Sequence, residues 1–150
     1  MANIIHRIGI RASSAKVYWQ QMDGLANWWT DDVKGNEQLG GHIEFTFASQ
    51  TGEVKGKMVM QVKELDKDKR VSWHCIDGPA EWIGTDLVFN LYKQDGQTTL
   101  LFSHRNWEEE VEFMAHCSMK WAVFLLSLRS YVEAGKGQPT PHDLKIDNWD

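Results

Sequence analysis

Apolar and polar residues alternate near the start of the chain, as they do in a strand with one buried face. A first β-strand is therefore predicted between residues 4 and 10, with Ile4, Ile8 and Ile10 on its inner face. The next residues, 11–14, supply a helix N-cap, and Asp23-Gly24 ends the short helix that follows. A second short helix is expected to end near Trp28-Trp29.

From Gly40 to Arg105 the apolar residues recur mainly at every second position, which predicts a series of strands. The inward-facing residues of these runs are Ile43, Phe45 and Phe47; Met58, Met60 and Val62; Val71, Trp73 and Cys75; Ile83, Thr85, Leu87, Phe89 and Leu91; and Leu100 and Phe102. Turn signals such as Asp77-Gly78-Pro79 and Asp95-Gly96 separate the runs. Because connections this short cannot hold the crossovers of parallel strands, an antiparallel meander is predicted.

The last predicted element is a helix of about seven turns. Asn106 and Glu109 are spaced as a capping pair for its start, and Gly135 stands just past its end. Its apolar residues recur at spacings of three and four: Phe113, Met114, Cys117, Trp121, Phe124, Leu125, Leu128 and Val132. A stripe of this kind needs an apolar partner, and the inner face of the sheet is the only adequate surface.

Several short motifs occur in order along the chain. They are Trp28-Trp29, Gly40-Gly41, Ser103-His104-Arg105-Asn106-Trp107, and a closing segment from Lys120-Trp121 to Gly135-Lys136-Gly137. Together with the order of the elements, they resemble the START-like (SRPBCC, Bet v 1-like) superfamily, nearest to the branch related to the activator of Hsp90 ATPase. Asn106 departs from this pattern, since related sequences commonly have Gly there. The resemblance covers nearly the whole chain, so residues 1–150 are expected to form one domain with a C-terminal tail over about 136–150.

The resemblance implies an α+β helix-grip fold. In this fold a curved antiparallel sheet of about six strands carries two short helices and one long C-terminal helix packed across it. It also implies a cavity between sheet and helix that often receives an apolar small molecule. Family members include lipid and hormone binders, polyketide aromatase/cyclases and an Hsp90 co-chaperone domain, so the fold leaves the function open. In the two-domain Hsp90 activator a separate N-terminal domain carries much of the chaperone contact, and the 150 residues here leave no room for it.

Composition and charge exclude several classes of partner. The net charge is −5 and no dense cluster of Lys and Arg occurs, so nucleic acid is not an expected partner. No run approaches the roughly 18 apolar residues of a membrane span, and no membrane partner is expected. The first residues lack the apolar core of a signal peptide, and two cysteines do not make a disulfide scaffold. The expected location is the cytoplasm.

Two histidines are candidates for chemistry in the cavity. His104 shares parity with inward-facing Leu100 and Phe102, and His6 shares parity with the inner residues of the first strand. In the helix-grip topology the first and last strands are antiparallel neighbours, so the two imidazoles are expected near one end of the cavity. There His104 could orient a ligand or exchange a proton, or it could be a structural histidine bonded to a backbone carbonyl or a tryptophan N–H.

Aromatic, methionine and cysteine side chains on the inner faces are the candidate lining of the cavity. The chain has eight tryptophans, which fit either a bulky filled core or the walls of a cavity. The predicted ligand-binding residues are His104, Phe102, Trp73, Phe89, Met58, Met60, Phe45, Trp121, Cys117, Trp28 and His6. Methionines in such a set provide an adaptable apolar surface.

The sequence contains no motif for a metal site, a cofactor site or a catalytic nucleophile. His74-Cys75 and His116-Cys117 are sequence neighbours, and neighbouring side chains diverge on strands and on helices alike. Only the two cysteines could converge, whereas a structural zinc needs four ligands. No phosphate-binding loop, dinucleotide glycine pattern or Gly-x-Ser-x-Gly is present. No cofactor and no catalytic residue is therefore predicted.

A second apolar stripe lies on the last helix opposite the core-facing one. It consists of Met119, Val123 and Leu126. Either the short helices cover it or it meets a second copy of the chain, since exposed apolar patches often mark interfaces. A homodimer through this helix is one hypothesis.

The sequence favours a non-enzymatic protein that binds a small apolar or aromatic molecule, with His104 as its polar anchor. An alternative is a protein-interaction module, such as a stress or chaperone accessory, that binds its partner through a surface like the Met119 stripe. A further alternative is an aromatase/cyclase-like enzyme with His104 as general acid and base.

Overall fold

The computed structural model describes residues 1–150, and its elements follow the predicted order. The strands are β1 (Ala2–Ile10), β2 (Asp32–Gly35), β3 (His42–Ala48), β4 (Val54–Asp66), β5 (Arg70–Asp77), β6 (Asp86–Gln94) and β7 (Gln97–Trp107). The helices are α1 (Ser14–Asp23), α2 (Leu25–Trp28) and α3 (Glu112–Ala134). No helix is both long enough and apolar enough to cross a membrane.

One antiparallel sheet of seven strands contains every strand, in the order β1-β7-β6-β5-β4-β3-β2. The predicted α+β architecture is confirmed, because the first and last strands are neighbours and α3 packs across the inner face. The sheet has one strand more than predicted. The additional strand, β2, has four residues, and its Asp-Val-Lys-Gly sequence is too short and polar to show an alternation. It is ordered by pairing with β3 from Asp32–Thr46 to Gly35–Ile43.

The predicted start of β6 at Ile83 is wrong. The strand begins at Asp86, and residues 80–84 form a turn in which the Trp82 N–H donates to Pro79 O at 2.9 Å. This turn leaves Ile83 about half exposed and directs Trp82, which the alternation had placed outside, into the core. The two-residue period holds only while the backbone is extended, so it does not apply inside the turn.

The predicted capping pair at the start of α3 is also wrong. Strand β7 continues to Trp107 because it is paired with β1 on one side and β6 on the other. Helix α3 begins only at Glu112, after an exposed connection of three glutamates, residues 108–110. Its other end is as predicted: Gly135 adopts a φ of 81° and donates its N–H to Tyr131 O at 2.8 Å.

Aromatic side chains fill most of the space between sheet and helix. Trp121 of α3 packs against Phe102 of β7 and against Trp29, with ring centroids 4.4 and 5.0 Å apart. Trp29 in turn packs 4.4 Å from Phe45 of β3. On the inner face of the sheet, the aromatic core therefore runs without a break from β7 through Trp121 of α3 to β3.

Residues 136–150 leave the end of α3 and return along the open end of the sheet without regular structure, and we call them the tail. The first part of the tail is held by backbone hydrogen bonds. Thr140 donates its N–H to Trp29 O at 2.8 Å and accepts at its carbonyl from Asp31 N at 3.1 Å. Gln138 N donates to Ser127 Oγ of α3 at 2.7 Å. The rest of the tail then crosses the end of the space beneath α3.

Asn106 offers a test of the backbone where β7 ends, because its φ of 71° lies in the left-handed region. We expect Asn106→Gly to be more stable than Asn106→Ala by about 1 kcal/mol, since only glycine adopts this conformation without strain. Both variants lose the bond that the Asn106 amide donates to Asp86 Oδ2 at 2.7 Å, so the comparison isolates the backbone. The measurement is urea unfolding of the two variants, and equal free energies of unfolding would contradict this conformation.

Candidate functional site

An apolar cavity of about 150 Å³ opens between α3, the inner face of β3 and β4, and the tail. Its main apolar walls are Trp29, Phe47, Met58, Trp82, Trp121 and Phe124. Helix α3 supplies one whole wall, because residues 113, 117, 121 and 124 recur at helical spacing and share a face. The cavity lies where the close-packed aromatic core ends.

The predicted ligand-binding residues divide into two groups. Met58, Cys117 and Trp121 line the cavity. The others do not line it. Seven of them lie in the filled core with at most 1% of their surface exposed: Trp28, Phe45, Met60, Trp73, Phe89, Phe102 and His104. Large rings at successive inner positions fill the depth between sheet and helix at these residues, and the cavity beside α3 opens towards the tail.

The His104 imidazole has partners for both ring nitrogens inside the protein. Trp121 Nε1 donates to His104 Nδ1 at 3.1 Å, so Nδ1 must be the unprotonated nitrogen. His104 Nε2 then carries the hydrogen and donates to Thr85 Oγ1 at 2.8 Å, and Thr85 donates to Trp82 O at 2.6 Å. These hydrogen bonds leave no nitrogen of the His104 ring free for a ligand.

Burial also keeps His104 neutral, since it lowers the pKa of the imidazole from 6.5 to about 3. A neutral, fully bonded ring cannot act as a general acid or base near neutral pH. The geometry therefore matches the structural alternative from the sequence, a histidine bonded to a tryptophan N–H, and gives no support to His104 as a ligand anchor.

His6 lies apart from His104. Across the strands His6 is paired with Phe102, and Ile4 is the residue opposite His104. The His6 ring is half-buried and bonds to Ser118 through Nε2, at 3.0 Å from the backbone oxygen. The expected pairing of the two imidazoles at one end of the cavity is not formed, because the register places them two residues apart along β1.

Both cysteines are free, buried and protonated. Burial raises the pKa of Cys75 to about 11 and that of Cys117 to about 12. Cys117 Sγ accepts a hydrogen bond from Trp82 Nε1 at 3.4 Å, which ties the turn before β6 to α3. They act as small core residues, and Cys117 adds a soft surface to the cavity wall.

A buried cation, Lys120, stands on the α3 face that borders the cavity. Its side chain is 11% exposed, and its ammonium group pairs with the Asp143 carboxylate of the tail. The same group donates to Leu144 O at 3.0 Å and lies 3.1 Å from Asp150 Oδ1. It also sits 5.2 Å from the centre of the Phe124 ring. The tail thus supplies the counter-charge that a buried lysine needs.

The carboxylates of this cluster remain ionised. Burial acts to raise the pKa of Asp143, but hydrogen bonds from Lys120 and Lys145 outweigh it and hold that pKa below its ordinary value. Burial opposes ionisation of Asp150 in the same way, and the Ile146 N–H and Lys120 outweigh it. The tail therefore presents negative charge to the mouth of the cavity.

His116, Asp147 and Asp150 bring three potential metal-ligand atoms within 4.8 Å of one another. His116 Nδ1 already bonds Asp147 Oδ2 at 2.8 Å, and the Lys120 ammonium lies beside Asp150. A divalent cation would meet that ammonium at close range, so the residues form an ion-pair cluster rather than a favourable metal site.

Sequence reasoning missed the polar part of this site. The available signal was Lys120 itself, because a lysine within the apolar stripe of a helix needs an anionic partner. The partner could not be found, since Asp143 is 23 residues away in a segment without periodicity. Phe47 was expected on the inner face of its strand, but its parity did not show that it borders a cavity. The alternation places Trp82 on the outer face, and the turn before β6 directs it into the cavity wall.

Comparison with known proteins supports the fold and identifies close relatives. A family model described as Activator of Hsp90 ATPase homolog 1-like protein matches residues 11–133. A solution structure described as the Aha1 dimer from Colwellia psychrerythraea is 43% identical to this chain, with a TM-score of 0.78. That alignment covers 91% of this chain and 100% of the other. No curated protein matches.

More distant structures share the fold alone. DynU16, a protein from the dynemicin biosynthetic locus, is 16% identical with a TM-score of 0.72, over 90% of this chain and 48% of that one. An AHSA1-like protein from Aeromonas hydrophila is 17% identical with a TM-score of 0.70, over 89% of this chain and 94% of that one.

The neutral state of His104 predicts a pH-dependent contribution to stability. Between pH 6.5 and about 3 the unfolded chain binds a proton at this residue and the folded chain does not. Acidification therefore removes about 1.4 kcal/mol of stability per pH unit in this range. We expect the free energy of unfolding of the native chain, minus that of His104→Gln, to fall as the pH drops from 6.5 and to reach nearly this slope between pH 5.5 and 4.5.

Urea unfolding at several pH values measures this difference. Glu37 titrates in the same range, because burial and its hydrogen bond with Asp23 raise its pKa to about 7. Its effect on stability has the opposite sign, but both proteins contain it, so it cancels in the difference. A difference that does not change with pH would mean that His104 is protonated in the folded protein.

Proposed function

This chain belongs to the activator of Hsp90 ATPase homolog 1-like family, and we propose that it is a non-enzymatic binding protein for a small apolar or aromatic molecule. The observation that carries the proposal is the apolar cavity beside α3. The proposed location is the cytoplasm.

The size and lining of the cavity support a ring-sized ligand. Its volume of about 150 Å³ is comparable with that of an apolar cavity that stays dry and binds benzene. Trp82 and Trp121 form parts of the wall, and Met58 can adjust its shape to the guest. Transfer of an apolar ring from water into such a space is favourable in proportion to the area buried.

Two features favour binding over catalysis. The imidazole of His104 is neutral and fully bonded within the core, and the thiols of both cysteines have strongly raised pKa values. The aromatase/cyclase-like alternative needs His104 as its general acid and base, and this imidazole cannot take that role.

A second proposal concerns the outer face of α3. Met119 and Leu126 are 57% and 49% exposed, while Val123 between them is half-buried. The chain leaves both ends of this stripe exposed, and the relative from Colwellia psychrerythraea is described as a dimer. We propose that the stripe is the contact surface of a homodimer. A chaperone partner would be the alternative occupant.

The cavity can be blocked by one substitution. Gly56 lines it on β4, and a Cβ added there meets no atom within 4 Å. We expect Gly56→Leu to fold normally and to reduce affinity for a neutral aromatic probe, toluene, by at least about tenfold. Tryptophan fluorescence and the shift in melting temperature on adding toluene measure the binding.

The matched control is Gln61→Leu, which adds an apolar side chain on the opposite face of the same strand. It is expected to retain the affinity of the native chain. If toluene and a panel of small neutral hydrophobic compounds change neither fluorescence nor melting temperature of the native chain, the binding function is wrong.

The dimer is tested by placing a charge on the stripe. Leu126→Glu is expected to raise the dissociation constant of the dimer by at least about tenfold, because the carboxylate would lose water in the interface. Ile83→Glu, at a position 51% exposed in the turn before β6, is the control with matched exposure. Sedimentation velocity over a range of concentrations measures both, and a monomeric native chain at high concentration would exclude the dimer.

A further inference from the structure

The two parts of the tail are attached to the body in different ways. The backbone of residues 138–140 is held to the body by hydrogen bonds with the backbone of Trp29 and Asp31 and with the hydroxyl of Ser127. Beyond residue 140 no backbone group of the tail bonds to the backbone of the body, and the remaining backbone bonds there are internal to the tail. The segment beyond residue 140 is thus attached to the body mainly through side chains, and we call it the strap.

Residues 141–150 form this strap, and side chains hold it over the mouth of the cavity. Asp143 and Asp150 pair with Lys120, and Asp147 bonds His116. The centroid of the Trp149 ring lies 5.5 Å from that of His116 and 6.2 Å from that of Phe113. Asp143, Trp149 and Asp150 also line the cavity, so the strap forms part of its wall.

Lys120 is the body residue on which most of these contacts converge. Its Nζ has no partner on the body other than the Phe124 ring, because its oxygen partners all belong to the tail. If the strap leaves, an ammonium group remains in a largely apolar wall without a counter-charge. Another anion in the place of Asp143 would restore the lost ion pair.

The groups that the strap inserts also describe what could replace it. It provides a carboxylate to Lys120 and an aromatic ring to Phe113 and His116. A ligand with an apolar ring and a carboxylate carries both features in one molecule, with its ring in the cavity and its carboxylate on Lys120. A neutral ligand of the same shape would not compete with Asp143 for Lys120, so the lysine would stay paired with the strap.

We propose that residues 141–150 are a displaceable lid over the cavity, and that Lys120 anchors the carboxylate of an aromatic or short alkyl carboxylic acid that displaces this lid. The inference rests on the proposed binding function and adds to it the class of ligand and the way the site opens. The lid lies beyond residue 133, where the match to the family model ends.

The test compares two probes that differ in charge and share a ring and chain length, 3-phenylpropanoate and 3-phenylpropan-1-ol. Calorimetric titration of the native chain is expected to give at least a tenfold tighter dissociation constant for the carboxylate. Asp143→Asn is expected to tighten carboxylate binding about fivefold, because it removes the carboxylate that competes for Lys120. The indole N–H signal of Trp149 in an NMR spectrum reports the lid, and only the carboxylate is expected to move it.

Lys120→Met is expected to abolish the preference for the carboxylate over the alcohol. Lys63→Met is the control, since it makes the same change of charge at an exposed position of β4. If Lys120→Met does not fold, Lys120→Arg is used instead, and it is expected to keep the preference because it keeps the charge.

The outcomes separate this inference from the function on which it rests. If both probes bind the native chain equally and Trp149 does not move, the lid and the anchor are wrong and the apolar cavity stands. If neither probe binds the native chain or Asp143→Asn, the binding function fails with them. A carboxylate preference that persists in Lys120→Met assigns the anchor to another residue and overturns the role of Lys120.

Discussion

The packing of α3 across the concave face of the sheet is the contact on which the rest of the structure depends. The apolar residues buried along α3 contribute on the order of 10 kcal/mol, at about 1.5–3 kcal/mol for each large side chain. Trp121 is central to this contact, because it packs on Phe102 and Trp29 and donates its indole N–H to His104. The same side chain therefore supplies apolar area and satisfies the one imidazole buried between the layers.

The candidate site arises where this packing stops. Towards the middle of the sheet large rings fill the depth between the layers, and towards β3, β4 and the tail they leave a cavity. The helix face that closes the core also carries Lys120 at the edge of that cavity. A cation in an apolar wall requires an anion, and the tail provides it. The electrostatic demand of one residue thus explains why an irregular segment lies across the opening.

The alternation of residues correctly identified the inner faces of the strands. Phe45, Trp73 and Phe102 were expected inside and are almost completely buried. The same rule placed Trp82 on the outer face and was wrong there, because the backbone leaves the extended conformation in the turn before β6. The rule also placed Met58 and Met60 in one set, whereas only Met58 borders the cavity. Parity reports which face a side chain takes and carries no information on how deeply the layer above it is filled.

By itself the sequence determined the order of the elements and the buried face of every strand and helix with a clear period, because that period depends only on local backbone geometry. The short strand β2 and the starts of β6 and α3 lay beyond it. The tertiary structure alone decided which inner residues meet a ligand-sized space and which are sealed by their neighbours. It also decided that His104 is saturated by Thr85 and Trp121, and that Lys120 meets Asp143. These outcomes depend on the volumes and charges that distant segments bring together, and no local pattern along the chain encodes them.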